Sequence, residues 1–225
     1  MVMQLTEADH ARVTAAVTEA ERRTAGEIVT IVARRSDSYH DVALHWAVLA
    51  MLLVLALLAL WPGVAYALHA LVADPWAGEP TPGALYTVAL VLTAITFLVA
   101  RLVLAWMPLR LALTPGSTEA RRVHARALTL FRTGAEQRTR DSTGVLLYLS
   151  LDERRAEIIA DDAIHSRVTA EVWGEAMAAL VVAVRDGRPG DGMAAAVAQI
   201  GVILAAHFPP RADDTNELPD RLIIL

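Results

Sequence analysis

The chain has 225 residues, 55% of them apolar, with no cysteine and a formal charge of −5. Disulfide and thiolate chemistry are therefore excluded, and the acidic balance gives no support for nucleic-acid binding. All 20 basic residues are Arg.

The N-terminal segment reads as a helix followed by a strand. Thr6 with Asp9 three residues later has the spacing of a capping box. Val13, Ala16, Val17 and Ala20 then form a narrow apolar face, and Gly26 is a stop signal. Met1–Ala20 has no apolar stretch of the kind a cleavable leader needs. Glu27–Ala33 is short and β-branched, the pattern of a buried strand.

The apolar residues then concentrate. Val42–Ala73 and Pro80–Ala100 contain no Asp, Glu, Arg or Lys. About 20 apolar residues suffice for a helix to cross a bilayer. The sequence therefore predicts a transmembrane hairpin over 42–113. Its first span runs about 44–61, with Trp46 and Trp61 as interfacial brackets, and is interrupted by Pro62-Gly63. Residues 64–73 either continue it past a kink or lie at the interface. The second span is about 85–107, with Arg101 near its end. Two buried core helices are the competing reading, but Met51–Leu60 lacks the polar face such helices keep. His45 and His69 are 24 residues apart in the block and read as interfacial rather than as metal ligands.

Arg34 and Arg35 precede the hairpin, and Arg110, Arg121, Arg122 and Arg126 follow it. The link 74–79 has no Arg and carries Asp74 and Glu79. By the positive-inside rule, both termini and the soluble parts lie in the cytoplasm of a bacterium with the hairpin in its inner membrane.

After Thr114–Ser117, capped by Ser117 or Thr118, comes a helix with Val123, Ala127, Leu130 and Phe131 on one side. Its other side carries Arg121, Arg122, Arg126, Arg132, Arg138 and Arg140, a solvated face or one attracted to anionic lipid. Gly144–Ser150 is apolar on both faces, like a central strand. A polar turn, Leu151–Arg155, and a second strand, Ala156–Ala160, complete a β-hairpin. A helix over about 168–184 follows, then a last helix capped by Asp191 and ending near Phe208. The tail 211–220 is polar, and Arg221–Leu225 is a candidate edge strand. The soluble domain is thus split, 1–41 and 114–210. A hairpin that leaves and returns on one side leaves its two halves together.

Several segments resemble the TPM domain, the family of the thylakoid lumen phosphatase-like proteins. Glu21-Arg22-Arg23-Thr24-Ala25-Gly26-Glu27-Ile28-Val29 resembles its opening. The run Gly144–Arg155 is similar to its middle strand and acidic turn. Trp173–Phe208, with Gly190-Asp191-Gly192, is similar to its closing helices. The resemblance implies a three-layer α/β/α sandwich with a small mixed sheet, here interrupted by the hairpin. It implies roles among phosphatase-like activity, divalent-cation binding and auxiliary subunits of membrane complexes, with a LemA-like membrane protein as a partner. Two features depart from the family pattern: a secretion signal is absent, and the hairpin lies within the domain rather than after it.

Candidate chemistry rests on carboxylates. Asp152 and Glu153 in the turn, Asp161 and Asp162 after the next strand, and Asp37 after the first strand would hold Ca²⁺ or Mg²⁺ if they converged, since both ions prefer oxygen ligands. Asp-rich turns and helix caps explain the same residues without a metal. Ser150, with Asp161 and His165 downstream, lacks the G-x-S-x-G setting of a hydrolase nucleophile. There is no P-loop, dinucleotide-binding glycine pattern or H-E-x-x-H. The sequence therefore points to a membrane-anchored binding or regulatory domain, monomeric or homo-oligomeric, with a weak metal-dependent phosphatase as the alternative.

Overall fold

The computed structural model describes residues 5–74, 76, 78–134, 143–169, 171–210 and 218–225. Arg138, Arg140 and most of the polar tail named above lie outside them. The chain divides into two units, Met1–Asp37 with Gly116–Leu225, and Ser38–Pro115. The second unit is inserted in the first between Asp37 and Gly116.

In the first unit, helix α1 spans Glu7–Glu21 and begins with the expected capping box. The Asp9 N–H donates to Thr6 Oγ1 at 3.2 Å, and the Thr6 N–H donates to Asp9 Oδ2 at 3.0 Å. The Thr6 N–H foremost, and then the Thr6 hydroxyl, donate to the Asp9 carboxylate and hold it below its ordinary pKa. Strand β1 is Glu27–Ala33, buried throughout. After the inserted unit come helix α6 (Gly116–Gly134), strands β2 (Gly144–Ser150) and β3 (Arg155–Ala160), helices α7 (Asp162–His165), α8 (Val172–Arg185) and α9 (Pro189–His207), and strand β4 (Ile223–Ile224). Two helix starts differ from expectation. Helix α6 begins at Gly116, ahead of Ser117 and Thr118, and α9 begins at Pro189. Pro fits a first helical position because its missing N–H would have no partner there. Asp191 instead sits in the first turn of α9 and pairs with Arg12 at 2.6 Å.

The sheet order is β3-β2-β1-β4. β1 runs parallel to β2 in the register Glu27↔Gly144 to Ala33↔Ser150, and β4 runs parallel to β1. β2 and β3 form the expected antiparallel hairpin, Val145↔Ala160 to Ser150↔Arg155. Because strand side chains alternate, each central strand feeds two cores. Ile28, Val32, Val145, Leu147 and Leu149 pack with α1, α8 and α9. Val29, Ile31, Leu146 and Tyr148 pack with Val123, Ala127 and Phe131 of α6. The result is a three-layer α/β/α sandwich around a small mixed sheet.

Among the described residues three helices are long and apolar enough to cross a membrane: His40–Leu60, Pro82–Val103 and α9. For α9 the apolarity has an internal explanation. Met193, Ala196, Val197, Ile200 and Leu204 are fully buried in the core. Small residues let its neighbours come close. A Cβ on Gly201 would stand 2.6 Å from Ala20 Cβ of α1, and one on Gly192 would stand 2.7 Å from Ala183 Cβ of α8.

The second unit contains α2 (His40–Leu60), α3 (Pro62–Ala70), α4 (Pro82–Val103) and α5 (Met107–Ala112). At 1.5 Å per residue, α2 and α4 are each about 30 Å long, the thickness of a bilayer's hydrocarbon core. Pro62 starts a separate helix, as the Pro62-Gly63 interruption predicts. Leu49, Leu52, Leu53, Leu90 and Leu98 stand more than half exposed on α2 and α4. Arg110 is buried; its Nε donates to the Leu104 carbonyl at 2.8 Å and its Nη1 to the Ser38 carbonyl at 2.6 Å. The Trp46 indole donates to the Leu113 carbonyl at 3.2 Å. These bonds close the base of the unit where its two ends meet.

The α1–α9 approach gives a direct test. Gly201→Val should lower the stability of the first unit by about 1–3 kcal/mol through overpacking. A shifted urea midpoint for the detergent-solubilised chain would show it, and an unchanged midpoint would show that Ala20 and Gly201 do not pack so closely.

Candidate functional site

The five carboxylates fall at opposite ends of the sheet. The turn Leu151–Arg154 follows β2 and lies beside the end of β1, where the Leu151 N–H donates to the Ala33 carbonyl and the Asp152 N–H to the Arg34 carbonyl. Asp161 follows β3, which returns antiparallel, so it lies beside Gly144 at the start of β2. Six strand steps of about 3.3 Å separate the two ends by roughly 20 Å. Asp37, Asp152 and Glu153 therefore share one end, and Asp161 and Asp162 share the other. The five do not converge as the sequence analysis allowed, because a β-hairpin carries its second strand's end away from its turn.

Four of the five are engaged locally. Glu153 is buried, accepts the Ser36 N–H at 2.8 Å through Oε1, and accepts the Ser150 hydroxyl through Oε2. Asp152 lies 3.7 Å from Arg34 Nε. Asp37 pairs with Arg122 at 2.7 Å, joining the residue where the chain leaves the first unit to the helix on which it returns. Asp161 is buried and accepts the Gly144 N–H at 2.8 Å. Asp162 is exposed in the first turn of α7. Among the described residues no group of three His, Asp or Glu side chains is placed to hold a metal ion. Ser150 is buried at one end of β2, and Asp161 and His165 lie at the other, so these three do not form a triad.

Another group of acids meets beneath the C-terminal segment. Glu21 Oε1 accepts the Ile28 N–H at 2.8 Å, Glu27 Oε2 the Leu218 N–H at 3.3 Å, and Asp220 Oδ2 the Thr18 hydroxyl at 2.7 Å. Burial pushes the Glu21 carboxyl up to about 8, with Glu27 and Asp220 acting in the same direction. No local pattern marks this group, since its members lie in three separate segments.

A groove of about 380 Å³ with room for a ligand runs along β3. One wall is α6, with His124 and Leu128; the other is α8, with Trp173 and Met177; His165 of α7 also lines it. The floor is β3 itself, Ala156 to Ala160. β3 ends the sheet, and all six of its residues are half-buried. The Asp161 N–H donates to the Gly144 carbonyl at 3.0 Å, which sets the phase of the ladder. Residues 155, 157 and 159 therefore turn their backbone groups to β2, while Ala156, Ile158 and Ala160 turn theirs to the open edge. Among the described residues no strand pairs with that edge. Glu157 on the floor lies 3.2 Å from His124 Nδ1. The sequence signal was weak: a six-residue strand, four of them Ala or charged, gives no periodicity that marks an open edge.

The first unit is thus an open mixed sheet sandwiched by helices, with its edge in a groove. Residues 110–203 match the family model of the TPM domain, the part of the chain that holds Gly144–Arg155 and most of Trp173–Phe208, the segments that resemble that family. The NMR structure of the BA42 protein from the psychrophilic bacterium Bizionia argentinensis is similar in fold. It superposes with a TM-score of 0.57 at 17% identity, covering 98% of this chain and 95% of that one. No curated protein matches the chain in sequence.

Two substitutions separate structural carboxylates from solvated ones. Asp161→Ala strands the buried Gly144 N–H and should cost about 1–3 kcal/mol. Asp162→Ala should stay within about 0.5 kcal/mol of the parent. Equal effects in chemical denaturation would contradict the placement. For Glu21, the ordinary value of 4.5 applies in the unfolded chain and about 8 in the folded one. The folded state therefore binds the proton more tightly. Stability from this group is fully present below 4.5 and is lost as pH rises through about 8. Glu21→Gln should flatten that loss, read as urea midpoints from pH 5 to 9; a parallel profile in the variant would reject the assignment.

Proposed function

We propose that this chain is a membrane-anchored TPM domain that binds a partner at the cytoplasmic face of a bacterial inner membrane, in the assembly or maintenance of a membrane complex. The observation that carries the reading is the pairing of one unit whose apolar side chains are left exposed on two bilayer-length helices with another whose apolar side chains are buried in two cores. About 25 cal/mol per Å² of apolar surface favours removing those helices from water. Arg34 and Arg35 before the hairpin, and the Arg residues of α6 after it, favour cytoplasmic termini. A LemA-like membrane protein is the partner that the family resemblance suggests. The groove along β3 is where such a domain would take hold of one. The phosphatase alternative draws no support from carboxylates roughly 20 Å apart.

The chain should stay in the pellet when membranes are washed with alkaline carbonate, and a variant lacking 38–115 should be released. A photoreactive side chain at Met177 should give a discrete adduct in intact cells, and one at the exposed Arg23, in the turn after α1, should not. Carbonate release of the full chain, or identical adducts from both positions, would refute the reading.

A further inference from the structure

We propose that the β3 groove binds an extended segment of a partner protein as an added strand, and that the segment alternates acidic with apolar side chains. The inference rests on the reading of this unit as a binding domain. A sheet edge with unpaired backbone groups is the template for such addition. Here Ala156, Ile158 and Ala160 supply it, and no hydrogen bond among the described residues occupies those groups.

The two walls define the side chains of the guest. Along α6, Arg121, Leu128 and Arg132 lie at i, i+7 and i+11, one stripe of the helix, and Leu128 lines the groove. Neither Arg lines the groove itself; by helical phase they stand outside its lining, one toward each end of α6 from Leu128 and about 16 Å apart along the axis. Both are exposed, and neither has a carboxylate partner among the described residues. The one carboxylate of the floor, Glu157, is already beside His124. Beyond His124 and Leu128, the α6 side of the groove is thus rimmed by exposed positive charge. The opposite wall, Trp173 and Met177, is apolar. An added strand turns successive side chains to opposite faces of the sheet. Its alternate residues would meet Arg121 and Arg132 on one face and Trp173 and Met177 on the other. Charge complementarity on one side and apolar burial on the other select a period-two acidic and apolar pattern. A helix, whose period is 3.6, would not present it.

The test uses the full chain in nanodiscs of zwitterionic lipid and a fluorescein-labelled peptide of about eight residues alternating Glu and Val. Anisotropy should show saturable binding, absent for the scrambled peptide and for a Lys–Val alternation. Arg121→Glu with Arg132→Glu should weaken binding by about tenfold or more. The peptide N-methylated on alternate residues, prepared in both phases, tests the backbone bonds without altering the protein: one phase should abolish binding. Equal binding of the scrambled peptide, or of both methylated phases, overturns the proposal. So does Arg-dependent binding of phosphatidylglycerol vesicles with no peptide binding, which would make the basic rim a lipid contact. A Met177 adduct that persists in cells without peptide binding would reject this guest chemistry alone, whereas loss of both would reject the binding-domain reading with it.

Discussion

The seven-residue parallel ladder between β1 and β2 is the constraint on which the domain depends. Every pair in it joins residues 117 positions apart in sequence. Both strands are buried on both faces, and the two cores form on either side of them. Closing so long a loop looks costly, but the entropy grows only as the logarithm of length. Adding the hairpin to the crossover that α6 alone would make costs about 1 kcal/mol more. That is an upper bound, because α2 and α4 pack together and Arg110 bonds to both Leu104 and Ser38, so the ends of the insertion are not free. The Asp37–Arg122 pair then joins the departing and returning segments within the domain itself.

The same ladder explains why carboxylates that look clustered in sequence are not clustered in space. Parallel pairing puts the ends of β1 and β2 together, so the Leu151–Arg154 turn is bonded to Ala33 and Arg34. The Glu153 carboxylate serves there as an acceptor for Ser36 and Ser150, fixing the chain just before it leaves the domain. Asp161, after the antiparallel return, does the corresponding work at the start of β2. Both are buried acids whose partners lie nearby, the arrangement in which a carboxylate organises a turn. Their burial is a property of the hairpin's two ends.

What could be read from the sequence was whatever local periodicity encodes. The Thr6–Asp9 capping box, the β-branched run Glu27–Ala33, the apolar run Gly144–Ser150 and the Pro62 break all appear where their chemistry places them. The two bilayer-length helices were legible for the same reason. Their starts, expected at 44 and 85, fall at 40 and 82 because flanking residues such as His40, Asp41 and Pro82 extend a helix without adding apolarity, while their ends, expected at 61 and 107, fall at 60 and 103. Relations that depend on strand order were not legible. Whether Asp161 meets Asp152, and whether Glu21, Glu27 and Asp220 share a pocket, depend on how the strands are ordered and paired. No local pattern carries that information. The hydropathy of α9 shows the reverse difficulty. Its composition suits a membrane, and only its packing against Ala20 and Ala183 reveals a core helix.

The two edges of the sheet are treated differently. On the β4 side the edge is two residues long, too short to template another strand, and the Leu225 N–H is bonded to the Val32 carbonyl. On the β3 side the edge is six residues long, flanked by α6 and α8 but not capped by a strand among the described residues. Proteins blunt exposed edges with charge, with Pro or with very short strands. β3 has no Pro, and its charges, Arg155 and Glu157, lie on one face only, each held by a partner on α6: Arg155 by Glu119 at 3.4 Å and Glu157 by His124 at 3.2 Å. The opposite face, Ala156, Ile158 and Ala160, carries no guard. An edge protected on one face and open on the other resists indiscriminate pairing yet admits a strand of matching pattern, and helices on both sides limit entry to one chain at a time. The edge that a purely structural sheet would close is here kept open within a groove, which is the physical reason to look for function at β3 rather than at the acidic turns.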